Sequence, residues 1–256
     1  MTAGGEAGAG AGHLLGGWKG SLAAGLAGLL LGAAAVALWS GLRPSRTERA
    51  KVETIVRDYV LAHPEIIPEA MQRLQDREAS QAVAGNRVQL ETPFAGAWAG
   101  AEHGDVVLVE FFDYACAYCR KSNPEVERLL REDRKLKVVW REWPVLGPDS
   151  EAAAQVSLAA AKEGRFRAFH DALFGLGRPG PAAIAEAQRA AGVSAGAVAA
   201  LRDSAAARAE LARNHTLARA VSATGTPTFV VGDKVLQGAV GYDALKAAIA
   251  EARSRG

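Results

Sequence analysis

Cys116 and Cys119 are the two cysteines of the chain, and they stand in one Cys-Ala-Tyr-Cys. Two intervening residues are too few for an ordinary structural staple. At a helix start, two thiols so spaced can close a small disulfide with little backbone movement. Helix amides and the macrodipole favour a thiolate on the first of them. The chemistry this pattern suits is thiol–disulfide exchange, with Cys116 outermost and Cys119 inside the first turn. Half a zinc site is the bland alternative, but zinc wants four ligands and the chain has no other cysteine. Copper(I) held by the same soft pair stays open, as do inert thiols. His63, His103, His170 and His215 are scattered without ligand spacing. No Gly-rich phosphate loop or Ser/His/Asp set stands out, so neither metal nor cofactor is expected.

The elements that must position these thiols can be read around them. Val106–Phe112 (VVLVEFF) is an apolar run broken only by Glu110, as in a strand buried on both faces. Asp113–Ala115 connects it to a helix reaching about Arg131, and Leu136–Trp143 is the next strand. A βαβ unit of that size implies parallel strands and a right-handed crossover. Val88–Glu91 reads as a short preceding strand. Ser150–Ala223 reads as four or five helices, punctuated at Gly164, Gly175–Gly180 and Gly192. Thr228–Val231 and Lys234–Leu236 form a hairpin around Gly232-Asp233, and Tyr242–Arg253 closes the chain as a helix. Trp140 and Trp143 read as core or groove wall. Asp113 reads either as a contact of the helix start or as a solvated loop acid. The expected fold is α/β, with a helical insertion splitting βαβ from ββα.

The chain has 256 residues, 49% hydrophobic and 23% charged, which excludes wholesale disorder. Lys+Arg 30 against Asp+Glu 28 leaves +2, spread along the chain, which argues against a nucleic-acid partner. Three regions are expected: 1–42, 43–84 and 85–256. Within the first, Gly20–Leu42 runs 23 residues without a charge, enough to span a bilayer. A membrane anchor, an export signal cleaved near Ala35-Val36-Ala37, and a buried helix are its three readings. Arg43, Arg46, Arg49 and Lys51 follow the run and only Lys19 precedes it, which by charge alone would hold the domain inside. The redox chemistry of the cysteines argues for placing it outside. Residues 47–84 read as a helical arm interrupted at His63-Pro64 and Ile67-Pro68. Val52, Ile55, Val56 and Tyr59, then Ile66, Ile67, Met71 and Leu74, make apolar stripes. Those stripes need cover from their own domain, the membrane or another subunit.

Two stretches carry a resemblance. Glu110-Phe111-Phe112-Asp113-Tyr114, the cysteine pair and Gly225-Thr226-Pro227-Thr228-Phe229 resemble the DsbA family of thioredoxin-fold disulfide oxidoreductases, over roughly Val88–Arg253. The arm, with Arg57–Met71 reading RDYVLAHPEIIPEAM, resembles the N-terminal region of suppressor-of-copper-sensitivity C (ScsC-like) proteins. The resemblance implies a thioredoxin-like fold and a disulfide oxidase or isomerase. Cys116 would be the nucleophile and Cys119 the resolving thiol. Glu110 would be the buried acid that relays a proton, and an edge charge reaching solvent otherwise. Pro227 would be a cis-proline facing the disulfide, and an ordinary trans proline otherwise. Thr226 and Tyr118 would join it in binding substrate. Ala117 departs from the family's usual Cys-Pro-x-Cys, and Thr226 is the residue its isomerases usually carry. The implied partners are disulfide-containing or reduced client proteins, a membrane redox partner that recycles the pair, and further copies of the chain, preferably as a trimer. The implied location is the bacterial inner membrane with the domain in the periplasm, or the periplasm if the signal is cleaved. The alternative function is copper(I) binding by the same thiols without exchange.

Overall fold

β-Branched and aromatic side chains fill Val106–Phe112 and Leu136–Glu142, and both segments are buried on both faces but for one half-buried residue each. They form strands β2 and β3 of a five-stranded sheet, in the order β1-β3-β2-β4-β5. The computed structural model describes residues 25, 28–29, 31–36 and 46–255. β2 and β3 are parallel, with Glu110 opposite Trp140 and Phe112 opposite Glu142. Helix α3 (Ala117–Glu132) makes the crossover between them. β1 (Trp98–Gly100), β4 (Thr228–Val231) and β5 (Lys234–Gln237) add antiparallel.

Between β3 and β4 the chain makes five helices: α4 (Pro148–Lys162), α5 (Phe166–Leu176), α6 (Pro181–Ala191), α7 (Ala195–Leu201) and α8 (Ala205–Ala220). α9 (Tyr242–Arg255) follows the hairpin. Side chains alternate across β2 and β3, and two cores result. Leu108, Phe112, Val138 and Trp140 face one, with both cysteines and α4–α7. Val109, Phe111, Val139 and Trp143 face the other, with α8 and the end of the arm helix.

The chain divides into two compact units at Pro68/Glu69. In the first, α1 (Arg46–Ala62) has no buried residue. A turn follows, with the His63 amide donating to Tyr59 O at 2.9 Å. α2 (Ile66–Glu91) then begins, with Pro68 in its first turn, where its missing N–H costs no helical bond.

Here the structure corrects one expectation. Val88–Glu91 is the last turn of α2, not a strand, and the helix runs unbroken through Gly85-Asn86. Val83 and Leu90, two turns apart on one helix face, are both buried, whereas Val88 is 79% exposed. Burial at helical spacing outweighs the local preference of Val88 for a strand. The first strand is instead Trp98–Gly100. The anchor or signal reading of Gly20–Leu42 falls mostly outside the described residues. Among the described residues no helix is long and apolar enough to cross a membrane.

Candidate active site

β2 ends at Phe112, and the chain must turn within four residues to enter α3. Asp113 fixes that turn. It is buried, and its Oδ1 accepts from the Ala115 amide at 2.7 Å. Its Oδ2 accepts from the Val145 and Leu146 amides at 2.8 and 3.0 Å. The carboxylate thus ties the start of the thiol loop to the loop after β3. Of the two sequence readings of Asp113, contact with the helix start holds.

Cys116 is the N-cap residue of α3, with extended backbone and no side-chain cap. Its Sγ lies 3.1 Å from the carbonyl oxygen of Thr226, to which the thiol donates. The expected meeting of the two distant motifs therefore occurs. The bond between Thr226 and Pro227 is cis. Both thiols are free and buried. The Cys119 thiol is the main partner that stabilises a Cys116 thiolate. The Thr226 side chain and the backbone amides of Cys119 and Tyr118 help, and together they bring Cys116 from an ordinary 9.0 to about 5. Burial, the same bond to Cys116 and the charge of Glu110 push the Cys119 thiol the opposite way, well above its ordinary value. One thiol is thus favoured as its thiolate and the other keeps its proton.

Glu110 projects from β2 into the same core and is 2% exposed. Of its two sequence readings, burial holds and the solvent-reaching edge charge does not. Trp140 Nε1 donates to its Oε2 at 3.0 Å. Burial raises the carboxyl to about 8 against that stabilising bond, and the charges of Cys116 and Glu127 add to the rise. A carboxyl poised there can take or give a proton near neutrality. Tyr118, in the first turn of α3, is 66% exposed and stands outside this cluster.

The segment carrying Thr226 is held from β5. Gln237 Oε1 accepts from the Thr224 amide and hydroxyl at 3.2 Å each and from Thr228 Oγ1 at 3.0 Å. Its Nε2 donates to Ser222 O at 3.1 Å. The Thr228 hydroxyl also donates to Gly225 O at 2.7 Å. Behind the thiol loop, the Tyr114 hydroxyl lies 2.9 Å from Ser157 Oγ and 3.4 Å from His170 Nδ1. His170 packs among Phe112, Trp140, Phe166 and Phe174, and burial lowers its value to about 3, so it is neutral. Neither Gln237 nor this chain was singled out in the sequence, because a lone polar residue 11 positions after Thr226 carries no spacing signal. Among the described residues no three His, Cys, Asp or Glu side chains converge as metal ligands.

Known proteins match both parts of the chain. The family model for the Copper resistance protein ScsC N-terminal domain matches residues 48–81. Over 158 residues the chain is 31% identical to the Na(+)/H(+) antiporter NhaA 3 of Salinispora tropica, covering 60% of this chain and 24% of that protein. It spans about a quarter of the curated relatives it matches. A thioredoxin-like oxidoreductase from Silicibacter pomeroyi superimposes with a TM-score of 0.61 at 36% identity, over 64% of this chain and 95% of that one. A linker-deletion mutant of Proteus mirabilis ScsC gives 0.67 at 28% identity, over 83% and 98%. The family model for the DSBA-like thioredoxin domain matches residues 107–250. That span takes in both halves of the sheet and the helices inserted between them, so the fold is thioredoxin-like and the chain belongs to the DSBA-like thioredoxin domain family.

Proposed function

We propose that the chain is a protein thiol–disulfide oxidoreductase acting on extracytoplasmic clients through Cys116 and Cys119. The observation that carries this is geometric: two free, buried thiols start helix α3, and Cys116 Sγ lies 3.1 Å from the carbonyl of Thr226, which precedes the cis Pro227. In the oxidising direction a client thiolate attacks Cys116 Sγ of the closed pair. The Cys116–Cys119 bond breaks, and Cys119 leaves as a thiolate that takes the proton of Glu110. A second client thiolate then attacks the client sulfur of the mixed disulfide and expels Cys116 as its stabilised thiolate. Two electrons pass from the client dithiol to the pair, and a recycling partner must remove them. The reverse sequence reduces a client, and isomerisation joins the two halves on one client. Thr226 and Pro227 flank the sulfur and offer backbone for an extended client segment. Tyr118, exposed next to Cys116, is a further contact for it. Thr226 as a donor to the thiolate stabilises the reduced form, which raises the reduction potential of the pair.

The location that fits is the periplasm, with residues 20–42 as anchor or export signal and a membrane redox partner renewing the pair. The arm is the part that would bring copies together, preferably as a trimer. Val52, Ile55, Val56, Tyr59, Ile67, Met71 and Leu74 are each more than half exposed. Burying several such side chains between copies is worth about 1.5–3 kcal/mol each. Copper(I) binding by the same thiols is the second reading, motivated by the arm's match to the copper-resistance domain.

Refolding of a client with scrambled disulfides tests the first reading. Wild type is expected to restore client activity and Cys116→Ser to lose it. Equal yields with the two proteins, together with a tight copper(I) complex, favour the second reading. Light scattering of wild type against Ile55→Asp/Tyr59→Asp tests assembly, and a wild-type monomer removes the trimer.

A further inference from the structure

Glu110 is buried in β2 with a single hydrogen-bond partner, the indole N–H of Trp140 opposite it on β3. The indole is in turn held by one turn of α5. Phe166 and His170 pack their rings 5.5 and 5.2 Å from it, and the Arg167 guanidinium sits 5.1 Å from its ring centre. Arg167 is not free to move. Its Nη2 donates to both oxygens of Glu127, at 2.7 and 2.6 Å, and lies 3.7 Å from Asp171. The side chains of Arg167 and Glu127 are 33% and 22% exposed, so the pair marks where this buried row of groups meets solvent.

We propose that the Glu127–Arg167 pair positions and tunes Glu110, Arg167 through the indole of Trp140 and Glu127 through its own charge. This rests on the exchange reading above, in which Glu110 hands a proton to and from Cys119. A cation on an aromatic face draws on the ring's electrons. It makes the indole N–H a stronger donor, and a stronger donor favours the charged carboxylate. Glu127 acts with the opposite sign, because its own negative charge opposes ionisation of Glu110. One carboxyl is therefore under two levers of opposite direction, and the ion pair keeps them in balance.

The other groups around Glu110 leave these levers distinct. Cys116 and Cys119 at the start of α3 and Tyr114 before it are coupled to its charge. His170 of α5 is neutral above about 3. On the β4 side, Glu110 has Phe229 as its register partner, which carries no charge. In the step concerned, Glu110 carboxylate takes the Cys119 proton. The thiolate so formed attacks Cys116 Sγ in a mixed disulfide, the pair closes, and the client leaves as a thiolate. Where Glu110 titrates decides the pH range in which that step runs.

The carboxyl resonance of Glu110, followed by carbon-13 NMR in the reduced full chain, reads this directly, and Glu110→Gln assigns the signal. Arg167→Met is expected to raise its midpoint by about one pH unit, and Glu127→Gln to lower it by a similar amount. Arg167→Lys, which keeps the charge, should fall between Arg167→Met and wild type. In a Trp140→Phe background Arg167→Met should lose most of its effect, since the indole transmits it. A purely structural pair would move the two midpoints together or not at all, and either result overturns the proposal. Wild-type refolding activity is measured on the same samples. Its absence would sink the exchange reading while leaving the opposite shifts, or their lack, to be read.

Discussion

The central strands bury charge on both faces, and the two faces treat it differently. On the α8 side, Arg141 is 1% exposed and fully engaged. It donates to Glu210 Oε1 at 3.0 Å, to Asn214 Oδ1 at 3.1 Å and to Leu90 O at 3.2 Å, with Gln89 O and Thr92 O as further acceptors. A cation, an anion and the last carbonyls of α2 satisfy one another. On the α3–α5 side, Glu110 has one N–H and no counter-ion in contact. Glu142 is as buried, with Oε1 unpartnered, and burial raises it well above its ordinary value. His170 is held neutral on that same side. Paired charge fastens the arm helix to the sheet. The unpaired groups stay ready to change protonation, and the thiols lie on that same face.

The largest expected effect comes from breaking the paired face. Arg141→Met leaves buried Glu210 with only the half-exposed Arg213 as its cation, and three carbonyls without their donor. It should cost about 3–5 kcal/mol of unfolding free energy. Replacing Glu210 by Leu in the same chain should return part of that loss, because no buried carboxylate is left to depend on the half-exposed Arg213 alone. Denaturant unfolding measures both. The alkylation profile of Cys116 in the folded fraction should not move, since the clamp lies across the sheet from it. A loss below about 1 kcal/mol would break the comparison.

This division also marks what the sequence makes legible. The VVLVEFF run, the cysteine pair, the hairpin at Gly232-Asp233 and the closing helix are local patterns, and the structure has all of them. Thr226-Pro227 could be joined to Cys116 because two motifs of one family must meet. The Arg141 clamp had no such signal. Its partners lie 51, 69 and 73 residues away, and nothing in the spacing of Arg141, Glu210 and Asn214 distinguishes them from solvated residues of amphipathic elements. The same blindness produced the misplaced strand at Val88–Glu91. The capture of Gln89 O and Leu90 O by Arg141 and the burial of Leu90 hold that segment helical, and both come from residues far along the chain. Glu110 was legible as an acid in an apolar strand, but its partner Trp140 read as core or groove wall. Indole N–H groups seek a partner when buried, and the nearest buried acid on the neighbouring strand was the available signal.

A second test turns on the sign of pH dependence. Folding holds the Glu110 proton up to about 8 against an ordinary 4.5. Below 4.5 both states are protonated and stability is unaffected; as pH rises from there to 8, the unfolded chain sheds its proton first and stability falls. Glu110→Gln should therefore match wild type in acid and exceed it by roughly 5 kcal/mol near pH 9. His170 runs the other way. Its folded value of about 3 lies below an ordinary 6.5, so stability falls as pH drops through that window and only the unfolded chain gains a proton. His170→Phe should remove that acid-side slope, also roughly 5 kcal/mol deep. Thermal or urea unfolding of the reduced proteins from pH 3 to 9 reads both slopes. If neither substitution changes its slope, the α3–α5 face does not hold unpaired titrating groups.

The smallest effect is expected at the thiolate, because it has neither one counter-ion nor none. Its charge is spread over the Cys119 thiol, the Thr226 side chain and two helix amides, with Cys119 contributing most. Thr226→Val deletes one of those donors and keeps the shape of the side chain. The Thr226 carbonyl 3.1 Å from Cys116 Sγ belongs to the backbone and survives. The alkylation midpoint should rise from about 5 by about one pH unit, since one hydrogen bond to a charged group is worth ~1.5 kcal/mol. At pH 7 both proteins are still mostly thiolate, so alkylation there should be almost unchanged. At pH 5 the variant should react several-fold more slowly. The reduction potential should fall, making the disulfide harder to reduce, because the reduced form has lost a stabilising donor. A midpoint that stays put would mean that Cys119 and the amides carry the whole charge, and Thr226 would then matter only for how a client strand lies against Pro227.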